Sequence, residues 1–187
     1  MRPWHQDQTV QIPPTHMAPA EPVARFLQAW TEDLYISGYV SGWDRLSDAL
    51  NQRDPLQIEK PWIHGLRAIL WRSQPGGDLA IDPFDLAFVL GRALGRTEAE
   101  RAAKRMPRAT RRVLVQGQGF EVAGTLSLLP GETPDAARRR RSQLFLPIAA
   151  PVVRREGRVV SDRLTDVALV NRYAIRVISP LDDSGAS

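Results

Sequence analysis

From Arg25 onward the apolar and polar positions of the chain alternate. Leu27 and Ala29, then Leu34, Ile36, Gly38 and Val40, supply one face, with Gln28, Glu32 and Ser37 among the intervening positions. A period of two is the signature of half-buried strands, and Thr31-Glu32-Asp33 provides the turn of a hairpin. The same face recurs 86 residues further on, where Val113 and Val115 precede Gly117-Gln118-Gly119 and Phe120, Val122, Gly124 and Leu126 follow. The glycine inside the second strand recurs with it, and an in-strand glycine marks a bulge or a sharp bend.

Two further blocks repeat in the same order. Leu56-Gln57-Ile58 with Pro61-Trp62-Ile63 returns as Leu146-Pro147-Ile148 with Pro151-Val152-Val153, at an offset of 90. Asp85-Leu86-Ala87-Phe88-Val89 returns as Asp166-Val167-Ala168-Leu169-Val170, at an offset of 81. Blocks in one order with loop-sized changes of offset imply an internal duplication. The predicted organisation is a disordered Pro-rich tail over 1–24, a β unit over 25–91, a basic helical linker over 92–110, a second β unit over 111–180 and a flexible tail over 181–187. The fold class is mainly β, with two tandem small β-barrel or roll units, Sm-like or SH3-like, and a short connecting helix.

Within the second unit Val152-Val153, a Glu156-Gly157 turn and Val159-Val160 read as a closing pair, and Val167 to Ile178 as one long strand. Leu66 to Trp71 fits either a strand or a helical turn. Asp44 to Asn51 spaces Leu46 and Leu50 four apart and predicts a short helix between strands. Thr97-Glu98-Ala99-Glu100 has the spacing of a capping box, opening a linker helix that Pro107 ends.

Arg45-Leu46-Ser47-Asp48-Ala49-Leu50-Asn51 lies between a glycine-bearing strand and an apolar strand, and it resembles a motif of small uncharacterised bacterial β-domains. Those domains close with a strand similar to Asp166-Val167-Ala168-Leu169-Val170-Asn171-Arg172. The second unit keeps the closing strand and has Glu132 to Arg141 in place of the RLSDxLN string. The resemblance implies architecture and transfers no catalytic residue.

Composition narrows the chemistry. The absence of cysteine excludes disulfides, thiolate zinc sites and cysteine nucleophiles. No apolar stretch approaches a membrane span, and the first residues lack the apolar run of a secretory signal, so the expectation is a cytoplasmic protein with no membrane partner. Of 25 basic residues all but Lys60 and Lys104 are arginine. Residues 1–91 carry a net charge of −4 and residues 92–187 one of +8, so the two units differ in charge although their apolar patterns match.

Two sets of polar residues are candidate binding sites. Arg45, Ser47, Asp48 and Asn51 would line a ligand pocket from a short helix, or would serve that helix and its turns, with Arg45 pairing Asp48. Arg138, Arg139, Arg140 and Arg141, reinforced by Arg154, Arg155 and Arg158 and by Arg105, Arg108, Arg111 and Arg112, would form a basic face for phosphates or a solvated loop and helix face. Phe120, Phe145 and Tyr173 are the only aromatic residues of the second unit, fewer than a single-strand-binding surface uses. His64 has no second histidine in the folded region for a zinc site, Ser41, Ser47 and Ser142 lack a G-x-S-x-G setting, and Gly117-x-Gly119 lacks the third glycine of a dinucleotide fingerprint. The functional expectation is a non-enzymatic interaction or adaptor module without cofactor or metal, partnered by another protein or a second copy. RNA or single-stranded nucleic-acid binding through the arginine face is one alternative. A small-ligand sensor or enzyme with its site between the units is the other.

Overall fold

The computed structural model of the chain describes residues 24–43, 45–52, 54–66, 72–73, 76–92, 108–140 and 143–181. The expected tail over 1–24 (apart from Ala24), the linker helix over 97–106, most of the ambiguous Leu66 to Trp71 segment, Arg105 and Arg141 lie outside the described residues.

The first hairpin is β1 (Arg25–Trp30) and β2 (Leu34–Val40), and α1 (Leu46–Asn51) leads from it to β3 (Leu56–Gly65). The short β4 (Arg72–Ser73) and β5 (Leu79–Ile81) precede a 3-10 turn (Pro83–Asp85) and β6 (Phe88–Gly91). The second hairpin is β7 (Ala109–Gly117) and β8 (Phe120–Leu128), and α2 (Pro134–Arg139) leads to β9 (Phe145–Arg155). β10 (Arg158–Val159), β11 (Val167–Asn171) and β12 (Ile175–Pro180) follow. The protein is mainly β, and its strands form one antiparallel sheet in the order β12-β7-β8-β9-β11-β6-β1-β2-β3-β4, with β10 added on β9 and β5 on β3. That path ends at β12 and β4 without closing.

Two local expectations are corrected. The arginine run is helical up to Arg139, because Thr133 accepts a hydrogen bond from the Ala136 amide at 3.2 Å and Pro134 occupies the first turn, a strong start signal. Val167 to Ile178 is two strands, since the Asn171 side chain accepts the Tyr173 amide at 3.0 Å and turns the chain between β11 and β12.

The two halves bend their sheets in the same way. Pairing of β2 with β3 passes from Ser37↔Trp62 to Tyr39↔Glu59, and pairing of β8 with β9 from Ala123↔Val152 to Thr125↔Ala149, leaving one extra residue on the long strand in each case. Next to each shift Lys60 and Ala150 take left-handed φ angles of 48° and 46°. Gly38 and Gly124 stand opposite these bulges. A Cβ on Gly38 would lie 2.4 Å from the Ile58 side chain and 2.8 Å from the Glu59 carbonyl, and one on Gly124 would lie 2.6 Å from Ile148 and 2.8 Å from the Ala149 carbonyl. Only glycine lets the strands approach this closely.

The third sequence block follows a different geometry. β6 pairs with β1 through Gln28↔Leu90 and Ala29↔Val89, whereas β12 pairs with β7 through Leu114↔Ser179 and Val115↔Ile178, so β6 corresponds to β12 at an offset of 89. β5 likewise corresponds to β11, since Ile58↔Leu79 on β3 matches Ile148↔Ala168 on β9. The blocks at an offset of 81 therefore do not hold equivalent positions. They hold β6 and β11, which pair with each other through Leu169↔Val89 and Val170↔Phe88.

That ladder joins the halves through their cores. Phe88 and Leu90 of β6 enter a cluster with Val113, Val122 and Ile148, while Val89 points the other way into a cluster with Leu27, Ile36 and Leu50. β11 alternates likewise, with Ala168 and Val170 in the first of these clusters and Leu169 in the second. Trp30 stacks on Phe88 at 4.7 Å and Phe88 meets Phe120 at 5.1 Å, carrying aromatic contact across the junction. Gly38→Ala and Gly124→Ala should each lower the unfolding free energy by about 1–3 kcal/mol, because neither carbonyl can yield without moving its strand. Urea denaturation of the two variants measures this, and losses of similar size are expected.

Candidate functional site

The RLSDxLN residues do not converge on a pocket. Leu46, Ala49 and Leu50 are buried on the inner side of α1, which leaves Arg45 and Asp48 exposed, with the Ser47 hydroxyl 3.4 Å from Asp48. Asn51 is the member with a distant task. Its amide nitrogen donates to the Ser47 carbonyl at 2.7 Å, and its oxygen accepts the backbone amides of Leu144 and Phe145 at 2.6 and 2.9 Å. It thereby ties α1 to the start of β9.

Two buried polar side chains make matching ties in the other direction. Arg155 donates to the Thr31 and Glu32 carbonyls at 3.0 and 2.6 Å and so holds the turn of the first hairpin. The Asn171 amide donates to the Leu86 and Phe84 carbonyls at 2.9 and 3.2 Å, next to the 3-10 turn. By charge pattern alone Arg155 belongs to the basic face, and Asn171 has no assigned role. The signal for Asn171 was a polar residue ending a run of four apolar ones in a buried strand.

The basic residues at α2 have carboxylate partners close by. Arg138 and Arg139 both pair with Asp135, at 3.1 and 2.8 Å, and Arg138 also donates to the Ile175 carbonyl at 3.2 Å. Arg140 pairs with Glu132, whose carboxylate also accepts the Leu129 amide at 2.8 Å. Arg155 points inward while its neighbour Arg154 is exposed, as alternation along β9 requires. Arg111 and Arg112 are exposed on β7, Arg108 just before it and Arg158 on β10. The structure thus brings Arg138 to Arg140 together with carboxylates, with Arg108 also near Glu132.

The outward features lie elsewhere. On β1, β2 and β3, Phe26, Tyr39 and Trp62 are 50, 41 and 45% exposed. Phe26 lies opposite Tyr39, with ring centres 5.5 Å apart, and Trp62 lies opposite Ser37, so cross-strand pairing puts all three on one face. The corresponding positions on β7, β8 and β9 hold Arg112, Thr125 and Val152. Beside this face a cleft of about 440 Å³ opens between the halves, floored by Leu46 and Leu90 and rimmed by Arg25, Arg92, Asp162 and Leu164. The Thr165 hydroxyl and the Leu164 amide, with Arg92 nearby, hold the Asp162 carboxyl below its usual range. An acid kept ionised in this way is poorly suited to donate a proton. His64 packs edge-on to Tyr35 at 5.3 Å, and among the described residues no cluster of histidine, aspartate and glutamate is placed to hold a metal ion.

Two outcomes follow from these contacts. Asn51→Ala strands two backbone amides and should cost about 1–3 kcal/mol in chemical denaturation. The Leu129 amide, and then Arg140, hold the Glu132 carboxyl below its ordinary value. Its stabilising contribution is therefore complete above the unfolded carboxylate range, about pH 4.3, and is lost as pH falls through the folded value. Glu132→Gln should flatten the acid limb of a stability profile measured below that pH. In comparison with known proteins, no family model, no curated protein and no solved structure matches the chain.

Proposed function

We propose that the chain is a non-enzymatic, cytoplasmic interaction module built from two diverged copies of one Sm-like or SH3-like roll, and that the aromatic face of the first copy receives a partner protein. The observation that carries this reading is the exposed Phe26, Tyr39 and Trp62 set on a sheet whose counterpart lacks it. Large aromatic side chains on a rigid surface are the usual anchors of protein interfaces, and the adjoining cleft offers an apolar floor with charges of both signs at its rim. Duplication is supported by the matched bulges, by the paired left-handed residues Lys60 and Ala150, and by the constant offsets of 86, 89 and 90 between equivalent ladders. Of the polar residues first suspected of chemistry, Asn51 and Arg155 are engaged in holding the halves together, which favours a scaffold over a catalyst. The carboxylate pairing of Arg138 to Arg140 likewise leaves the nucleic-acid reading with less support.

The test compares the full chain with a Trp62→Ser, Tyr39→Ser double variant of unchanged circular dichroism, each used as bait in cell extract. A partner anchored on this face should lose about 2 kcal/mol, a roughly thirty-fold drop in affinity, for each anchor removed. Equal recovery by both baits would overturn the reading. Fluorescence anisotropy with single-stranded RNA and DNA at low salt completes the experiment, since tight binding unaffected by the two serines would transfer the function to the arginines.

A further inference from the structure

The contact that joins the halves is not symmetric. It pairs β6, the strand that lies against β1, with β11, the strand that lies against β9. In the second half the place of β6 is taken by β12, and in the first half the place of β11 is taken by β5. One junction of this kind is made within the chain, and one edge of each type is left over. Among the described residues β12 pairs only with β7, and β5 only with β3.

The side chains on these edges match the geometry. Where the junction is made, Phe88, Val89, Leu90, Ala168, Leu169 and Val170 are all buried. At the equivalent places where it is not made stand Val177, half exposed, with Ile178 and Ser179 partly buried, and Leu79, Ala80 and Ile81, which are partly buried or exposed. An open apolar edge is a template for another strand and is normally blunted by charge, proline or a bulge. Arg176 sits at a bulge between Ile175 and Val177 near the start of β12, Pro180 ends that strand and Asp78 precedes β5, but Val177, Ile178, Leu79, Ala80 and Ile81 carry no charge.

We infer that the chain assembles head to tail, the outer edge of β12 in one copy pairing antiparallel with the outer edge of β5 in the next. Transferring the register of the internal junction sets Ile178 opposite Ala80, Ser179 opposite Leu79 and Val177 opposite Ile81. Each joined copy presents the same two edges again, and such a heterologous contact gives a ring if the rotation closes and a filament if it does not. These edges involve other residues than the aromatic face, and assembly through them does not depend on what that face binds.

Sedimentation velocity of the full chain over a micromolar dilution series reads the result. The wild-type chain is expected to exceed the monomer mass, and Val177→Lys and Ala80→Lys, both at exposed positions, should each return it to monomer. An equimolar mixture of the two variants should form a one-to-one dimer, because it restores one intact edge pair and caps both ends. A symmetric interface would not produce this rescue. A monomeric wild type, an oligomer unchanged by both lysines, or a mixture that stays monomeric would each overturn the inference. Should a lysine variant fail to fold, disulfide formation between a Leu79→Cys chain and a Ser179→Cys chain decides the matter in this cysteine-free background. A mixed disulfide dimer supports the pairing, and its absence overturns it.

Discussion

The pairing of β6 with β11 is the constraint on which the rest of the molecule depends. Both strands are covered on both faces, so alternate residues serve different cores and every position between Phe88 and Leu90, and between Ala168 and Val170, must be apolar. Buried strands of this sort lose the hydrophobic-polar alternation of a surface sheet and read as continuous apolar runs. They are also intolerant of slippage. A shift of one residue would send Phe88 where Val89 belongs and unpack both clusters together.

Around that junction polar side chains work mainly on backbone. Asn51, Arg155 and Asn171 each reach from one half to carbonyls or amides of the other. These groups lie at turns and strand ends, where main-chain donors and acceptors have no ladder partner and burial without one is costly. Arginine suits such a place because its fork spans two carbonyls at once, as Arg155 does over Thr31 and Glu32. The arginines of α2 are likewise tied into the helix by Asp135 and into its entry turn by Glu132.

Much of the local structure was legible in the sequence. Both hairpins follow from period-two alternation, α1 from the four-residue spacing of Leu46 and Leu50, and the two bends from in-strand positions that only glycine can fill. What stayed hidden was ownership of the buried faces. Alternation says that Val89 and Phe88 point opposite ways, but it does not say that Leu169 and Phe120 are the neighbours they meet. The offset of 81 has a physical origin other than duplication, since β6 and β11 look alike because they bury each other and so share an environment without sharing a position. Thr133 and Pro134 signal the start of α2, a signal masked by the run of like charge that follows them. Asn51 and Arg155 stand out in the sequence as polar residues, but the ties they make do not, because their partners are 93 to 124 residues away and leave no trace in local spacing; the shared face of Phe26, Tyr39 and Trp62 likewise depends on strand pairing that no local pattern records.

The sharing of cores also bears on how the chain comes into being. The cluster around Leu27, Ile36 and Leu50 contains Leu144, Phe145 and Leu169, so the first half lacks part of its interior until most of the second has been made. During synthesis, at about 5–20 residues per second, its apolar strands wait several seconds for these side chains. Contacts of such sequence separation carry a high loop-closure cost and slow the search for the native pairing. The two halves resemble independent units in outline, but the chain must acquire them as one cooperative body, and a ribosome-bound first half is the stage at which it is most exposed to wrong partners.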